Sequence, residues 1–136
     1  MKKYRIVIVE NDEDEQEFMK EAFDRAGLFQ VLALLNNGDH LFEWLEQNSS
    51  NLPEMVLSDL NMPGKNGYDI ITEMKNNPAY AHLPVIITST SSTRTIIDKC
   101  LALGAADYVV KPDTFIEYAP FVKRLHSLVE SKQLIR

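Results

Sequence analysis

The sequence predicts an α/β protein built on a doubly wound, five-stranded parallel sheet. Three observations predict it. Short β-branched runs alternate with amphipathic stretches along the whole chain. Turn and cap residues (Gly27, Asn36-Asn37-Gly38, Asn76-Asn77-Pro78 and Gly104) fall at the junctions. The central run from Met55 is almost wholly apolar, as a strand covered on both faces must be. Strands that each lead into a helix need right-handed crossovers, and an open sheet with helices on both sides is the simplest closure.

The elements follow in order. Tyr4 to Val9 is a short strand. Glu13 to Ala26 has helical spacing, with Phe18, Ala22 and Ala26 on one side and acids on the other. Gly27 stands where a helix ends. Gln30 to Leu35 reads as the second strand, and Asp39 as an N-cap for a helix over His40 to Gln47. The third strand is Met55 to Ser58, followed by a turn at Met62-Pro63-Gly64 and a helix from Gly67 to Lys75. Pro84 to Ser89 is the fourth strand, and Thr93 to Leu103 is a helix closed by Gly104. Asp107 to Val110 is the fifth strand. Thr114 and Glu117 have capping-box spacing, yet Pro120 would then lie inside the helix. Either the helix starts at Pro120 as its first residue or it is kinked there; a short helical turn and then a helix starting near Ala119 is the expected form.

Composition narrows the function. At 136 residues and 45% apolar content, the chain is expected to form one domain over 1–136 with a normal core and no output domain. A formal net charge of −6 argues against a nucleic-acid binder. The single cysteine, Cys100, forbids an internal disulfide and fits a reducing compartment; in a helical pattern it reads as a small core residue. The N-terminal apolar run is too short for a signal peptide, and no segment approaches membrane-spanning length. A cytoplasmic protein with no membrane partner is expected. Asn48-Ser49-Ser50 matches a glycosylation sequon but reads as a polar loop.

In a doubly wound sheet, chemistry sits at the carboxyl ends of the strands. Strand one ends in Glu10, Asn11 and Asp12, strand three at Asp59, strand four at Ser89 and strand five at Lys111. Alone, an Asp after a strand is a turn former and a Lys there is a solvated charge. Together, on one edge, they form a set suited to phosphoryl transfer onto a carboxylate. Asp59 is the candidate nucleophile. Neighbouring acids could hold a divalent ion, and Mg²⁺ suits an all-oxygen site. Lys111 could pair with Asp59 and then with a phosphate. Ser89 offers a hydroxyl, and the backbone carbonyl of Asn61 could face the ion.

These motifs carry a resemblance. The acidic stretch after strand one, DLNMPG at 59–64, the hydroxyl after PVIIT and YVVKP at 108–112 are similar to those of two-component response regulator receiver domains, the CheY-like family. The resemblance covers nearly the whole chain. It implies the flavodoxin-like (βα)5 fold with strand order 2-1-3-4-5. It implies that Asp59 takes phosphate from a sensor histidine kinase or phosphotransfer protein, and that Ser89 and Lys111 contact that phosphate. It implies a cis bond before Pro112, and a switch in which Ser89 moves and Tyr108 changes rotamer. The output would then be a downstream protein or a homodimer. KNNPAYAHLP followed by TSTSS further resembles single-domain receivers paired with phytochrome-like kinases. Asn61 and Ser91 flank the site and either tune self-hydrolysis or act as turn residues.

One departure stands out. The family has two adjacent acids where this chain has Glu10 and Asn11. The metal set is therefore Glu10, Asn11, Asp59 and the Asn61 carbonyl, with one charge fewer. Weaker Mg²⁺ binding and slower or more metal-demanding phosphorylation are expected. Asn11 is also the one feature favouring a phosphorylation-independent interaction module. A true hydrolase or nucleotide-binding enzyme would need a Gly-rich phosphate loop, and none is present, so no enzyme beyond Mg²⁺-dependent self-phosphorylation and slow autodephosphorylation is expected. The acids from Glu13 to Glu17 read as a solvated first helical turn, favoured by the helix dipole. Ile96, Ile97 and Leu101 read as core.

Overall fold

A computed structural model describes residues 3–114 and 117–135. It has five strands and five helices in strict alternation: β1 (Tyr4–Val9), α1 (Glu13–Ala26), β2 (Phe29–Leu35), α2 (Gly38–Gln47), β3 (Met55–Asp59), α3 (Gly67–Asn76), β4 (Val85–Ser89), α4 (Arg94–Leu103), β5 (Asp107–Val110) and α5 (Tyr118–Ser131). The strands form one sheet in the order β2-β1-β3-β4-β5. All the pairings are parallel, as the expected topology requires. The chain reverses its direction of winding between β1 and β3, which opens a crevice above their carboxyl ends.

Two apolar layers flank the sheet. On one face Met19 and Phe23 of α1 meet Phe121, Leu125 and Val129 of α5 over Ile6, Ile8 and Leu57. On the other, Leu41 and Leu45 of α2, Ile70 and Met74 of α3, and Cys100 of α4 cover Val7, Val56 and Ile87. β3 and β4 are buried along their whole length, which explains their unbroken apolar runs. Cys100 is fully buried, and burial pushes its thiol upward in pKa, so it is core as expected. Ile96 and Ile97 pack against the same layer, whereas Leu101 is 40% exposed and is not core.

The sequence reading is corrected at two local points, and the last helix starts within one residue of its expected position. Asn37, not Asp39, caps α2, because its side chain accepts the His40 N–H at 2.9 Å; Asp39 then lies in the first turn. On α1 the buried stripe is Met19, Ala22 and Phe23, and Phe18 lies outside it, its ring 6.3 Å from that of Tyr118. The spacing alone could not choose between adjacent stripes, and α5 decided it. α5 begins at Tyr118, so Pro120 occupies the first turn, where a backbone N–H has no intrahelical acceptor. The short turn expected before it runs through 115–116, outside the described residues, and the Thr114 side chain meets the Glu117 carboxylate at 3.3 Å rather than capping a helix.

Gly67 ties the fold to the site. Its N–H donates to Leu60 O at 2.8 Å. A Cβ there would stand 2.9 Å from Leu60 Cα and 3.0 Å from Asp59 O. Only glycine lets α3 start this close beneath the turn that presents Asp59. A capping box between Asn66 and Asp69 fixes the same helix start.

Candidate functional site

Four strand ends meet at one cleft of about 250 Å³, lined by Glu10, Asn11, Asp12, Glu15, Asp59, Asn61, Ser89, Thr90 and Lys111. The register explains the meeting. Asp59 pairs with Thr88, and Ser89 with Val110, so each acts one step from its neighbour's end. Backbone bonds continue the ladder past the strands: Glu10 N–H to Leu35 O at 2.9 Å, Leu60 N–H to Thr88 O at 3.0 Å, and Lys111 N–H to Ser89 O at 2.8 Å. The functional groups therefore stand on rigid backbone rather than on loose loops.

Lys111 is the hub. Its Nζ lies 2.8 Å from Glu10 Oε1, 2.5 Å from Glu15 Oε2 and 3.2 Å from Asp59 Oδ1. Glu10 and Lys111 are buried, and Asp59 is 7% exposed. Burial alone would push the ammonium down. Its close contacts with Glu10 and Glu15 and the charge of Asp59 outweigh it and hold Lys111 charged, above the ordinary lysine range. The acids respond in the opposite sense. Burial first, then its hydrogen bond with Glu15, raises Glu10 to about 7, with Lys111 opposing. Burial likewise raises Asp59 against the pull of Lys111.

Each expected residue can now be placed. Asn11 lines the cleft and is exposed. Asp12 caps α1, accepting the Glu15 N–H at 3.0 Å, while its own N–H donates to Glu10 Oε2 at 3.1 Å. Ser89 is buried, and its Oγ accepts the Ser91 N–H at 3.2 Å. The buried Tyr108 donates its hydroxyl to Ser91 O at 2.7 Å. Asn61 lines the cleft, whereas the Ser91 side chain bonds Thr93 Oγ1 at 3.1 Å and acts as a turn residue.

Two expectations are corrected. Among the described residues no peptide bond is cis, so the bond between Lys111 and Pro112 is trans. Trans is favoured intrinsically even before proline, and the chain here passes through bends rather than a tight hydrogen-bonded turn that would demand the other isomer. Glu15 is no member of a merely solvated turn: it reaches into the cleft and accepts a hydrogen bond from the Lys111 ammonium. Thr90 and Tyr118 also belong to the surroundings. The Tyr118 phenol is buried, and burial followed by the Glu15 charge pushes it well above its ordinary range. The signal for Glu15 was its one-turn distance from the strand end, masked by the acids around it.

The donor set suits a hard cation. Glu10 and Asp59 offer carboxylates, Asn11 an amide oxygen and Asn61 a carbonyl, with no sulfur or imidazole in the cleft. Glu10 Oε1 is buried and has no hydrogen bond. Its contact with Lys111 at 2.8 Å is an ion pair without hydrogen-bond geometry, so one acceptor is left for a further positive group. Among the described residues no three His, Cys, Asp or Glu side chains stand together as a ready ligand cluster, because the acids turn toward Lys111.

A buried aspartate, an ammonium and a hydroxyl at the switch point of a 2-1-3-4-5 sheet define the receiver class of α/β domains. The chain belongs to the response regulator receiver domain family, whose model matches residues 6–118. Its relatives include the rice two-component response regulator ORR12 (Oryza sativa subsp. japonica), 44% identical over 63 residues, which are 46% of this chain and 52% of that protein. The chain spans about half the length of the curated relatives it matches first. The phosphorylated cyanobacterial phytochrome response regulator RcpA superposes with a TM-score of 0.81 at 24% identity, over 96% of both chains. The Mn²⁺-bound form of response regulator Rcp1 does so with a TM-score of 0.78 at 23% identity, over 91% of this chain and 92% of that one. At those identities the two structures speak for the fold. Among the described residues no helix is long and apolar enough to cross a membrane.

Proposed function

We propose that this chain is a phosphorylation-operated signalling switch. The observation that carries it is a buried Asp59 carboxylate held 3.2 Å from the Lys111 ammonium at the floor of an acid-lined cleft. In the reaction an Asp59 oxygen bonds to phosphorus as the P–N bond of a phosphohistidine breaks; the imidazole leaves and takes up a proton. The donor is a histidine kinase or a phosphotransfer protein. Mg²⁺, held by Glu10, Asn11, Asp59 and the Asn61 carbonyl, would supply charge to neutralise the phosphoryl oxygens. Lys111 and the Ser89 hydroxyl take the oxygens that remain. The chain is no enzyme in the ordinary sense: a water slowly cleaves the Asp59 O–P bond, returning the carboxylate and inorganic phosphate. Its single cysteine and acid balance suit the cytoplasm and protein partners rather than nucleic acid.

The switch has a physical route. Ser89 Oγ and the Tyr108 hydroxyl are both tied to the backbone of Ser91, at its N–H and its carbonyl. If Ser89 turns toward a phosphoryl oxygen, the Ser91 peptide loses one tie and the other slackens. Tyr108 is then free to change rotamer, altering the surface around β5 and α4 that a downstream protein or a second copy would read.

Acetyl phosphate with Mg²⁺ should add one phosphoryl group by intact mass, and Asp59→Ala should add none. No gain at saturating Mg²⁺ would overturn the reading in favour of a phosphorylation-independent interaction module, which Asn11 favours. Asn11→Asp restores a negative ligand and should lower the half-saturating Mg²⁺ by roughly tenfold, about 1.4 kcal/mol. An unchanged Mg²⁺ requirement would mean that Asn11 lies outside the metal's reach.

A further inference from the structure

The Lys111 ammonium has three N–H donors. Carboxylate oxygens from Glu10, Glu15 and Asp59 stand against it at 2.8, 2.5 and 3.2 Å. Of the three, Glu15 accepts a hydrogen bond from the ammonium and Glu10 Oε1 accepts none, so a phosphoryl oxygen on Asp59 competes chiefly with Glu15 for Lys111. The three are not equally held. Glu10 sits at a strand end, its side chain 1% exposed, with Oε2 fixed by the Asp12 N–H. Asp59 carries the phosphoryl group itself. Glu15 is on the first turn of α1, its side chain 29% exposed, so water can take over its charge at the lowest cost.

We propose that Glu15 is a latch on Lys111: it holds the ammonium in the unphosphorylated protein and competes with the phosphoryl group for it. Glu15 is thus a positioning residue that sets how readily the phosphorylated form is reached. The proposal rests on the phosphorylation reading above.

The test compares Glu15→Gln, which keeps shape and removes charge, with Asp14→Asn, which removes the same charge from the exposed neighbouring position. Beryllium fluoride serves as the phosphoryl mimic at saturating Mg²⁺, with bound fluoride counted by ¹⁹F NMR. Glu15→Gln should bind it about three- to tenfold tighter, the span of a partly exposed ion pair. Asp14→Asn should change binding less than about twofold, since its charge acts only through solvent. Equal binding by Glu15→Gln and the unaltered protein overturns the latch, and so does an Asp14→Asn effect as large as that of Glu15→Gln. Weaker binding by Glu15→Gln overturns it too. The unaltered protein's phosphoryl gain by mass separates the two readings: its absence sinks both, whereas its presence with an indifferent Glu15→Gln sinks the latch alone.

Discussion

Lys111→Met is expected to lower the free energy of unfolding by about 3–5 kcal/mol near pH 8, the range for removing one partner of a buried ion pair. Methionine fills most of the lysine stem's volume, so packing is little changed and the loss is electrostatic. Glu10 and Asp59 would then face each other, and Glu15, with no cation among them. The loss should depend on pH. Burial already raises Glu10 from 4.5 to about 7, so the folded protein binds a proton that the unfolded chain gives up. For an acid raised by folding, the penalty is complete above the folded pKa and vanishes below the unfolded one. Without Lys111 the folded values climb further, and the difference between variant and unaltered protein should shrink as pH falls toward that of the unfolded carboxylates. Mg²⁺ should stabilise the variant more than the unaltered protein, because the acids no longer turn toward an ammonium. Urea unfolding near pH 8 and near pH 5.5, with and without Mg²⁺, measures both effects. A loss equal at the two pH values would show that the carboxylates do not depend on Lys111.

The legibility of this protein divides along the same physical line. Strand and helix identities were readable because burial imposes a period, and β1, α1 and β5 run over the residues that period marks. The boundary error came where two side chains could each cap a helix: at the start of α2 Asn37 takes the His40 N–H, and Asp39 pairs with Lys65 at 3.3 Å. Asp59, Ser89 and Lys111 were readable because each ends a strand, and parallel topology brings strand ends together. Glu15 was not. It reaches the cleft from a helix, one turn beyond the sheet, and whether a helical acid faces solvent or a buried ammonium depends on how the helix is rotated on the sheet. The Met19 and Phe23 stripe sets that rotation, and Glu15, one turn before Met19, shares its side of the helix. The trans bond before Pro112 belongs to another kind of miss, in which a family pattern was carried onto a segment whose local geometry does not require it.

That rotation also changes the meaning of Asn11. With Asn11 read alone, the cleft lacks a negative charge. With Glu15 included, the charge is present but placed on the ammonium rather than at the amide's position. The acids crowd Lys111 and leave Glu10 Oε1 without a hydrogen bond. A second carboxylate at position 11 would crowd them further. The neutral amide therefore has an electrostatic reason: it limits repulsion beside Glu10 and Asp59, which are already pushed toward protonation.

The same balance predicts that Asp59→Asn abolishes phosphorylation and stabilises the fold. The amide is no nucleophile, so the gain of a phosphoryl group should vanish completely. Stability should move the other way. Asp59 is buried, and that burial raises its carboxyl despite the pull of Lys111. Its charged form is therefore disfavoured in the folded state, and the penalty is complete above its folded pKa. Asparagine removes it, with a gain of about 0.5–2 kcal/mol near pH 8, typical where a functional site gives up stability. The Asp59 charge also raises Glu10, so its removal relieves a second group. Lys111 keeps Glu10 and Glu15 as partners and is not left uncompensated. The gain should fade as pH falls through the folded pKa of Asp59, because the unaltered protein then carries the proton that relieves it. Urea unfolding across that range is the measurement. A variant less stable than the unaltered protein near pH 8 would show that the Asp59–Lys111 pair outweighs the burial of the carboxylate. The acid that accepts the phosphoryl group would then also be one that holds the fold together.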